Sequence, residues 1–329
     1  METMKAILFD EPGEAEKLYI GNFPKPEVGE EEILVEIKAT ALNRADILQR
    51  MGKYPPPQGA SPVLGLEISG VVVEKGSKVF KWKIGDKIFG LIPGGGYAQF
   101  AVIHEDMAMR IPDNLSFEQA AAIPEVFLTA YQAIVWLAEL KAGEFILIHA
   151  GASGVGTAAI QIARELGAKI IVTASAEKLF ICKELGADVL IDYKSQNFKE
   201  IALKATNNYG VDVIIDFIGA KYFNDNIDSL TRDGRLILLA TLSGGKVGDF
   251  DVRQILVKRL KIIGSTLRSR SLDYQIKLTK EFKEFALDKI ASGRIKPVID
   301  KIYDWKDVVQ AHKRMEENKN TGKIILRIN

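Results

Sequence analysis

The chain has 329 residues, 47% hydrophobic and 26% charged, and its 44 Lys and Arg against 43 Asp and Glu leave a formal net charge of +1. That length exceeds one ordinary core and suits two domains. The balanced charge gives no electrostatic ground for a polyanion partner, so nucleic acid is not expected. One cysteine, Cys182, excludes an intrachain disulfide, and with only His104, His149 and His312 beside it no thiolate-rich zinc site can form. No metal is expected. Met1 to Ile7 lacks a basic stretch followed by a long apolar core, and no uninterrupted run of about 18 apolar residues follows. The expectation is a cytoplasmic protein without a membrane span.

The first third reads as strands and turns. Ile7–Phe9, Ile33–Ala39, Ile68–Glu74 and Asp86–Gly90 carry strand patterning between glycines. Asn43–Arg50 predicts a short helix ending at Gly52, and Pro55-Pro56-Pro57 then forces a loop. After about residue 120 the period changes. A helix is expected over 129–140, a strand over 145–149, a glycine-rich turn, a helix over 157–166, a strand over 169–173, a helix over 177–185 and a strand over 188–191. Val211–Asp216 and Gly234–Leu239 continue the series. Nearly continuous apolar strands alternating with helices predict a parallel sheet covered on both faces. The tail offers helices over 274–291 and 305–318, a segment at 298–300, and a closing strand, 323–328, placed to return to the first domain. The fold class is therefore α/β with a mostly β first domain. The expected limits are 1–124, then 125–268, then 269–329 as the C-terminal helices and the return.

The informative turn is His149-Ala150-Gly151-Ala152-Ser153-Gly154-Val155-Gly156-Thr157, between a strand and a helix. Gly151 and Gly156 fall at the outer glycines of a dinucleotide fingerprint. Ser153 stands at the middle position with Gly154 beside it. A helix N-terminus there favours an anion, and the serine hydroxyl adds a phosphate contact. The end of the next strand chooses the cofactor. An NAD site carries an acid about twenty residues on. This chain has Ala174 and Ser175, with Lys178 one turn later, which suits a 2′-phosphate and hence NADPH. Glu177 is the opposing feature, placed early in a helix where it can face solvent.

These motifs occur in one order with Gly52-Lys53-Tyr54-Pro55-Pro56-Pro57, Gly65-Leu66-Glu67-Ile68-Ser69-Gly70 and Leu267-Arg268-Ser269-Arg270. Together they resemble the zinc-independent quinone oxidoreductases of the medium-chain dehydrogenase/reductase superfamily, most closely the p53-inducible quinone oxidoreductase-like proteins. The resemblance covers essentially the whole chain. It implies a Rossmann coenzyme domain plus a discontinuous GroES-like catalytic domain. It also implies that Ser175, Lys178 and Tyr193 contact the 2′-phosphate and adenine of NADPH. Asn43 and Tyr54 would lie beside nicotinamide and substrate, and Thr129 would touch the cofactor. A homodimer through coenzyme-domain edge strands near Leu260–Gly264 is implied as well. The zinc alcohol dehydrogenases of the superfamily carry a catalytic cysteine near the Asn43 segment, and this chain does not.

Tyr54 is the first candidate donor to the oxygen that becomes anionic as a quinone is reduced, and Asn43 the second. Each has a plain alternative: Tyr54 closes the proline loop, and Asn43 caps the short helix. Cofactor contacts are expected from Asn43, Thr129, Gly151, Ser153, Gly154, Val155, Gly156, Ser175, Lys178, Tyr193 and Gly219. His149 reads as structural or cleft-lining, Cys182 as core, and Asp216 either as a cleft residue at its strand end or as the group that ends the strand and orients Gly219. The expected activity is NADPH-dependent reduction of small quinones, ortho-quinones first among them, without a metal. Two alternatives remain: reduction of an enone or alkenal double bond, and a non-catalytic NADPH-responsive RNA-binding role.

Overall fold

The computed structural model describes residues 2–329, which divide into two compact units, 2–128 with 268–329, and 129–267. The first part of unit one contains β1 (Thr3–Leu8), β2 (Tyr19–Pro24), β3 (Glu32–Ala41), α1 (Arg44–Arg50), β4 (Glu67–Lys75), β5 (Lys87–Leu91), β6 (Phe100–His104), β7 (Ala108–Arg110), α2 (Phe117–Ala121) and α3 (Pro124–Tyr131), which runs into unit two. Unit two contains β8 (Phe145–Ile148), α4 (Gly154–Glu165), β9 (Lys169–Ala174), α5 (Leu179–Leu185), β10 (Val189–Asp192), α6 (Phe198–Ala205), β11 (Val211–Asp216), α7 (Phe223–Ser229), β12 (Leu230–Leu238), α8 (Arg253–Lys258) and β13 (Lys261–Gly264). The chain then returns with α9 (Leu272–Ala291), β14 (Ile299–Asp304), α10 (Val308–Glu316) and β15 (Lys323–Arg327).

In unit one the central strand is β3. Ile33, Val35, Ile37, Ala39 and Ala41 alternate along it and are buried on one face, and Leu34 and Thr40 are buried on the other. The sheet order is β14-β15-β3-β4-β5-β7. Two strands share one edge of β3: β6 pairs with Glu32–Glu36 and β15 with Ala39–Ala41. The closing strand thus completes the first unit from the far end of the chain. Leu326 pairs opposite Thr40, and Ile324–Leu326 are fully buried.

Unit two is a six-stranded, wholly parallel sheet in the order β10-β9-β8-β11-β12-β13. Numbered within the unit, that is the 3-2-1-4-5-6 order of a doubly wound Rossmann sheet, whose switch point falls between β8 and β11. Every residue of β11 is buried. Leu147, Ile171, Ile191, Ile214 and Leu236 from five adjacent strands form one core with Phe198 and Ile227 from the covering helices.

One element differs from its expected form. The helix expected over 129–140 begins at Pro124, ends at Tyr131, and continues as one wide π-helical turn over Gln132–Leu137. Proline is tolerated at a first helical position because its missing N–H has no helical acceptor there. Treating it only as a breaker shifts the start. The stretch Phe117–Leu137 is long and apolar enough to cross a membrane by composition, but 72% of its most apolar window is buried inside the protein.

Candidate active site

The glycine turn of unit two follows from local chemistry. β8 ends at Ile148, and Ala150 takes a left-handed backbone with φ of 49°. Ser153 then caps α4, its Oγ accepting from the Gly156 N–H at 3.0 Å. A Cβ on Gly156 would stand 2.3 Å from the Ala150 carbonyl oxygen, so only glycine lets the helix start against the turn. At Gly151 a Cβ would meet Val172 at 3.0 Å, which keeps the turn against β9. The N–H groups of Gly154 and Val155 sit in the first helical turn, where no intrahelical carbonyl reaches them. These residues fit a dinucleotide phosphate: donors at a helix start, a proton on the Ser153 hydroxyl, and no side chain at the tightest point.

Ser175 lies at the end of β9, buried, and the Tyr193 N–H donates to the adjacent Ala174 carbonyl at 3.2 Å. The structure therefore brings Ser175 and Tyr193 to one strand-end region, with Lys178 closing the short 3-10 turn between them and α5. Glu177 is exposed there. Its carboxyl is held below the usual range, first by the Ser175 hydroxyl and also by Lys194, whose Nζ lies 3.6 Å away. Lys194 is a cation at this corner that sequence reading did not single out. Thr129 is the first residue of unit two and is half-buried in α3.

His149 belongs to the scaffold. It is fully buried, with Nδ1 3.0 Å from Thr173 Oγ1 and Nε2 2.7 Å from Asn226 Oδ1. Asn226 Nδ2 donates to Asp216 at 3.2 Å, so its carbonyl accepts from His149 Nε2–H, and Nδ1 accepts from the threonine hydroxyl. Phe198 and Tyr222 pack on the ring at 4.7 and 4.8 Å. Asp216 accepts from the N–H groups of Ile218 at 2.7 Å and Gly219 at 3.1 Å. Gly219 has φ of 84°, and a Cβ there would stand 2.8 Å from the Gly244 carbonyl. Its N–H therefore shapes the turn.

Burial pushes His149 down to about 4. The unfolded side chain takes up a proton near pH 6.5 and the folded one does not until about pH 4, so this contribution is present above 6.5 and lost as pH falls toward 4. The stability deficit of His149→Gln relative to the parent is expected to shrink by on the order of 3 kcal/mol between pH 7 and pH 4. Urea unfolding of both proteins at the two pH values checks it; a pH-independent difference would mean that His149 does not carry this linkage.

Unit one holds a second polar centre, around Asn43. The backbone N–H of Asn43 donates to Asp46 Oδ2 at 2.8 Å, which stabilises the start of α1. Its side chain faces a buried ion pair. Nδ2 donates to Glu67 Oε1 at 2.8 Å, and Oδ1 accepts from Lys323 Nζ at 2.6 Å. Lys323 Nζ lies 2.8 Å from Glu67 Oε1 and also donates to the Leu42 carbonyl at 2.7 Å, while Glu67 Oε2 accepts from the Glu125 N–H at 2.9 Å. Lys323 and Glu67 have side-chain exposures of 3% and 0%, so every donor and acceptor here replaces lost water. Burial, with Glu67 beside it, raises the Glu125 carboxyl to about 8. Asp46, raised by burial to about 6, accepts from the Gly65 N–H at 2.9 Å and lies 3.4 Å from the Tyr97 hydroxyl. Tyr97 in turn meets His312, which contacts Arg50 at 3.1 Å.

Tyr54 stands apart from this network. It is half-buried in the loop after α1, its ring lies 5.5 Å from the Arg268 guanidinium, and burial raises its phenol above the ordinary value. Its hydroxyl has no hydrogen-bond partner among the described residues. Glu67, Lys323, Glu125 and Arg268 were missed by sequence reading. The available signal was a charge directly before buried strand residues: Glu67 opens β4 ahead of Ile68, and Lys323 opens β15 ahead of Ile324–Leu326. Among the described residues no group of three or more His, Cys, Asp or Glu is arranged to hold a metal.

Residues 29–113 match the family model described as alcohol dehydrogenase GroES-like domain, and residues 154–292 match the one described as zinc-binding dehydrogenase. Human quinone oxidoreductase is 30% identical over 332 aligned positions, covering 99% of this chain and 98% of that protein. The quinone oxidoreductase of Pseudomonas syringae pv. Tomato DC3000 superposes with a TM-score of 0.87 at 31% identity, over 98% of this chain and 99% of the other. CurK enoyl reductase superposes with a TM-score of 0.88 at 27% identity over the full length of both. With its GroES-like unit, its Rossmann unit and these full-length likenesses, the chain belongs to the quinone oxidoreductase family of the medium-chain dehydrogenase/reductase superfamily.

Proposed function

We propose that the protein is a metal-independent, NADPH-dependent reductase of small quinones. The observation that carries this reading is the Tyr54 hydroxyl, unengaged among the described residues and set beside the Arg268 guanidinium, while Asn43, Glu67 and Lys323 satisfy one another. Bound NADPH would supply the hydride; the chain would place the cofactor and the acceptor and favour the oxygen that becomes anionic. Tyr54 would donate to that oxygen. Asn43, committed to Glu67 and Lys323, would fix the shape of the wall beside it. A thiolate-bound metal has no place in this reading: the only cysteine is Cys182, buried in the core of unit two, where burial raises its thiol to about 12.

Gly151, Ser153, Gly154, Val155 and Gly156 would hold the pyrophosphate, and Ser175, Lys178 and Tyr193 the adenosine 2′-phosphate. Ser175→Ala with Lys178→Ala is expected to raise the KM for NADPH about tenfold or more and leave that for NADH nearly unchanged, since charge-assisted hydrogen bonds to the phosphate are lost. Initial rates with each cofactor measure it; equal losses for both would assign the two residues to a general structural role.

A second reading, reduction of an activated carbon–carbon double bond, is favoured by the likeness to CurK enoyl reductase. The ratio of kcat/KM for 1,2-naphthoquinone and for an alkenal, both with NADPH, decides between them. A ratio above one supports the quinone reading, and a ratio below one replaces it.

A homodimer through coenzyme-unit edge strands is also proposed. β13 pairs only with β12 and so leaves one edge of the six-stranded sheet open. Leu256 and Val257, 77% and 64% exposed, stand on α8 just before it. Replacing both with Glu is expected to reduce the mass measured by light scattering from two chains to one. An unchanged mass would place the interface elsewhere.

A further inference from the structure

Arg268 is a cation that the fold encloses without pairing. It is 7% exposed, and its Nε donates to the Pro93 carbonyl at 2.8 Å. Both Nη atoms are buried and have no hydrogen-bond partner among the described residues. Buried guanidinium N–H groups without acceptors are unfavourable in a core, because they give up water and receive no hydrogen bond in return. Such a group in a well-packed unit calls for an anion that is supplied from outside.

The neighbours of Arg268 do not provide one. It lines a recess with Leu91, Ile92, Pro93, Glu125 and Gln275. Glu125 is the carboxyl within that wall, and burial beside Glu67 keeps it largely protonated at neutral pH. Asp46 acts on Arg268 only through space, with its oxygens already accepting from Asn43 and Gly65. The remaining neighbour is Tyr54, whose ring covers the guanidinium face at 5.5 Å. Tyr54 belongs to the proline loop, between Gly52 and Gly59, which have φ of 73° and 82°. The cover is therefore a loop side chain, while the guanidinium is anchored from behind by a backbone carbonyl.

The geometry points to Arg268 as an anion-binding, specificity-determining residue of the substrate recess, selecting quinones that carry an ionised oxygen beside the reducible ring. This rests on the quinone reading above and goes further by naming the substrate class. The two Nη groups form a planar two-pronged donor suited to an oxygen anion in the plane of a flat ring. Tyr54 moves aside to admit it and supplies a further donor from the same loop. The recess is closed in this state, and with Tyr54 displaced Leu91, Ile92 and Pro93 present apolar surface to the ring.

The test compares two probes of nearly equal size: 2-hydroxy-1,4-naphthoquinone, an anion at neutral pH, and its neutral 2-methoxy ether. Binding to the full chain is measured by quenching of protein fluorescence, without cofactor and again with saturating NADP+. The parent protein is expected to bind the anion about tenfold or more tightly than the ether, the size of one charge-assisted hydrogen bond. Arg268→Met is expected to remove that preference. Arg268→Lys, which keeps the charge and loses the fork, is expected to lose most of it and provides a second variant if the first does not fold. The absence of a preference in the parent protein overturns the proposal, as does a preference that survives both substitutions. NADPH turnover is read separately. An Arg268-dependent preference without turnover of any quinone would retain the anion site and remove the quinone reductase reading.

Discussion

Lys323→Met is expected to destabilise the protein by about 3–5 kcal/mol, the usual result of stripping one partner from a buried ion pair. Lys323 makes three short contacts, to Glu67, Asn43 and the Leu42 carbonyl, and all lie where water does not reach. Its removal leaves the Glu67 carboxylate with one cation fewer and Asn43 with an unpaired carbonyl. The same contacts join β15 to the start of α1 and to β4, so the far end of the chain is tied to unit one by this side chain as well as by the sheet. The double variant Glu67→Gln with Lys323→Met should recover part of the loss, because no bare charge then remains. Urea unfolding of the three proteins measures both effects. A loss below about 1 kcal/mol for the single variant would give the pair the worth of a surface ion pair.

Tyr54→Phe is expected to lower kcat for quinone reduction about a hundredfold, the scale of one donor lost from a developing oxyanion. The ring remains over Arg268, so the stacking that shapes the recess is kept and only the hydroxyl is removed. NADPH affinity should not change, since the proposed phosphate contacts belong to the turn of unit two. Steady-state rates and cofactor titration separate the two quantities. A kcat within twofold of the parent would assign Tyr54 to closing the proline loop and pass the donor role to another group.

Much of the Rossmann unit was legible because its strands are apolar on both faces and short. Val211–Asp216 appears in the sequence with the limits found in the structure, and the turn from Gly151 to Gly156 lies between strand and helix as its motif requires. The return of the closing strand was readable from its isolation after two helices, and β15 does pair with β3. Other elements carry weaker signals. β2 is Tyr-Ile-Gly-Asn-Phe-Pro, half-exposed and held mainly by pairing with β1, so its residues show no buried alternation. α7, Phe-Asn-Asp-Asn-Ile-Asp-Ser, is poor in helix formers and is fixed by packing, with Asn226 recruited to His149 and Asp216.

The polar centre of unit one was the least legible part. Asn43, Glu67 and Lys323 come from three distant positions, and only the pairing of β3 with β4 and β15 brings them together. Periodicity reports which face a residue takes and says nothing of which distant charge it meets. Arg268 shows the same limit. Its run Leu267-Arg268-Ser269-Arg270 was informative as a motif, yet the enclosure of the guanidinium depends on Pro93 and Tyr54.

The central claim is tested most directly by following the loss of reduced-nicotinamide absorbance with 1,2-naphthoquinone under anaerobic conditions, with NADPH and NADH at matched concentrations. The account predicts quinone-dependent oxidation of NADPH, one equivalent per hydroquinone formed, with much slower use of NADH. Tight NADPH binding without turnover of this or any other quinone would contradict it.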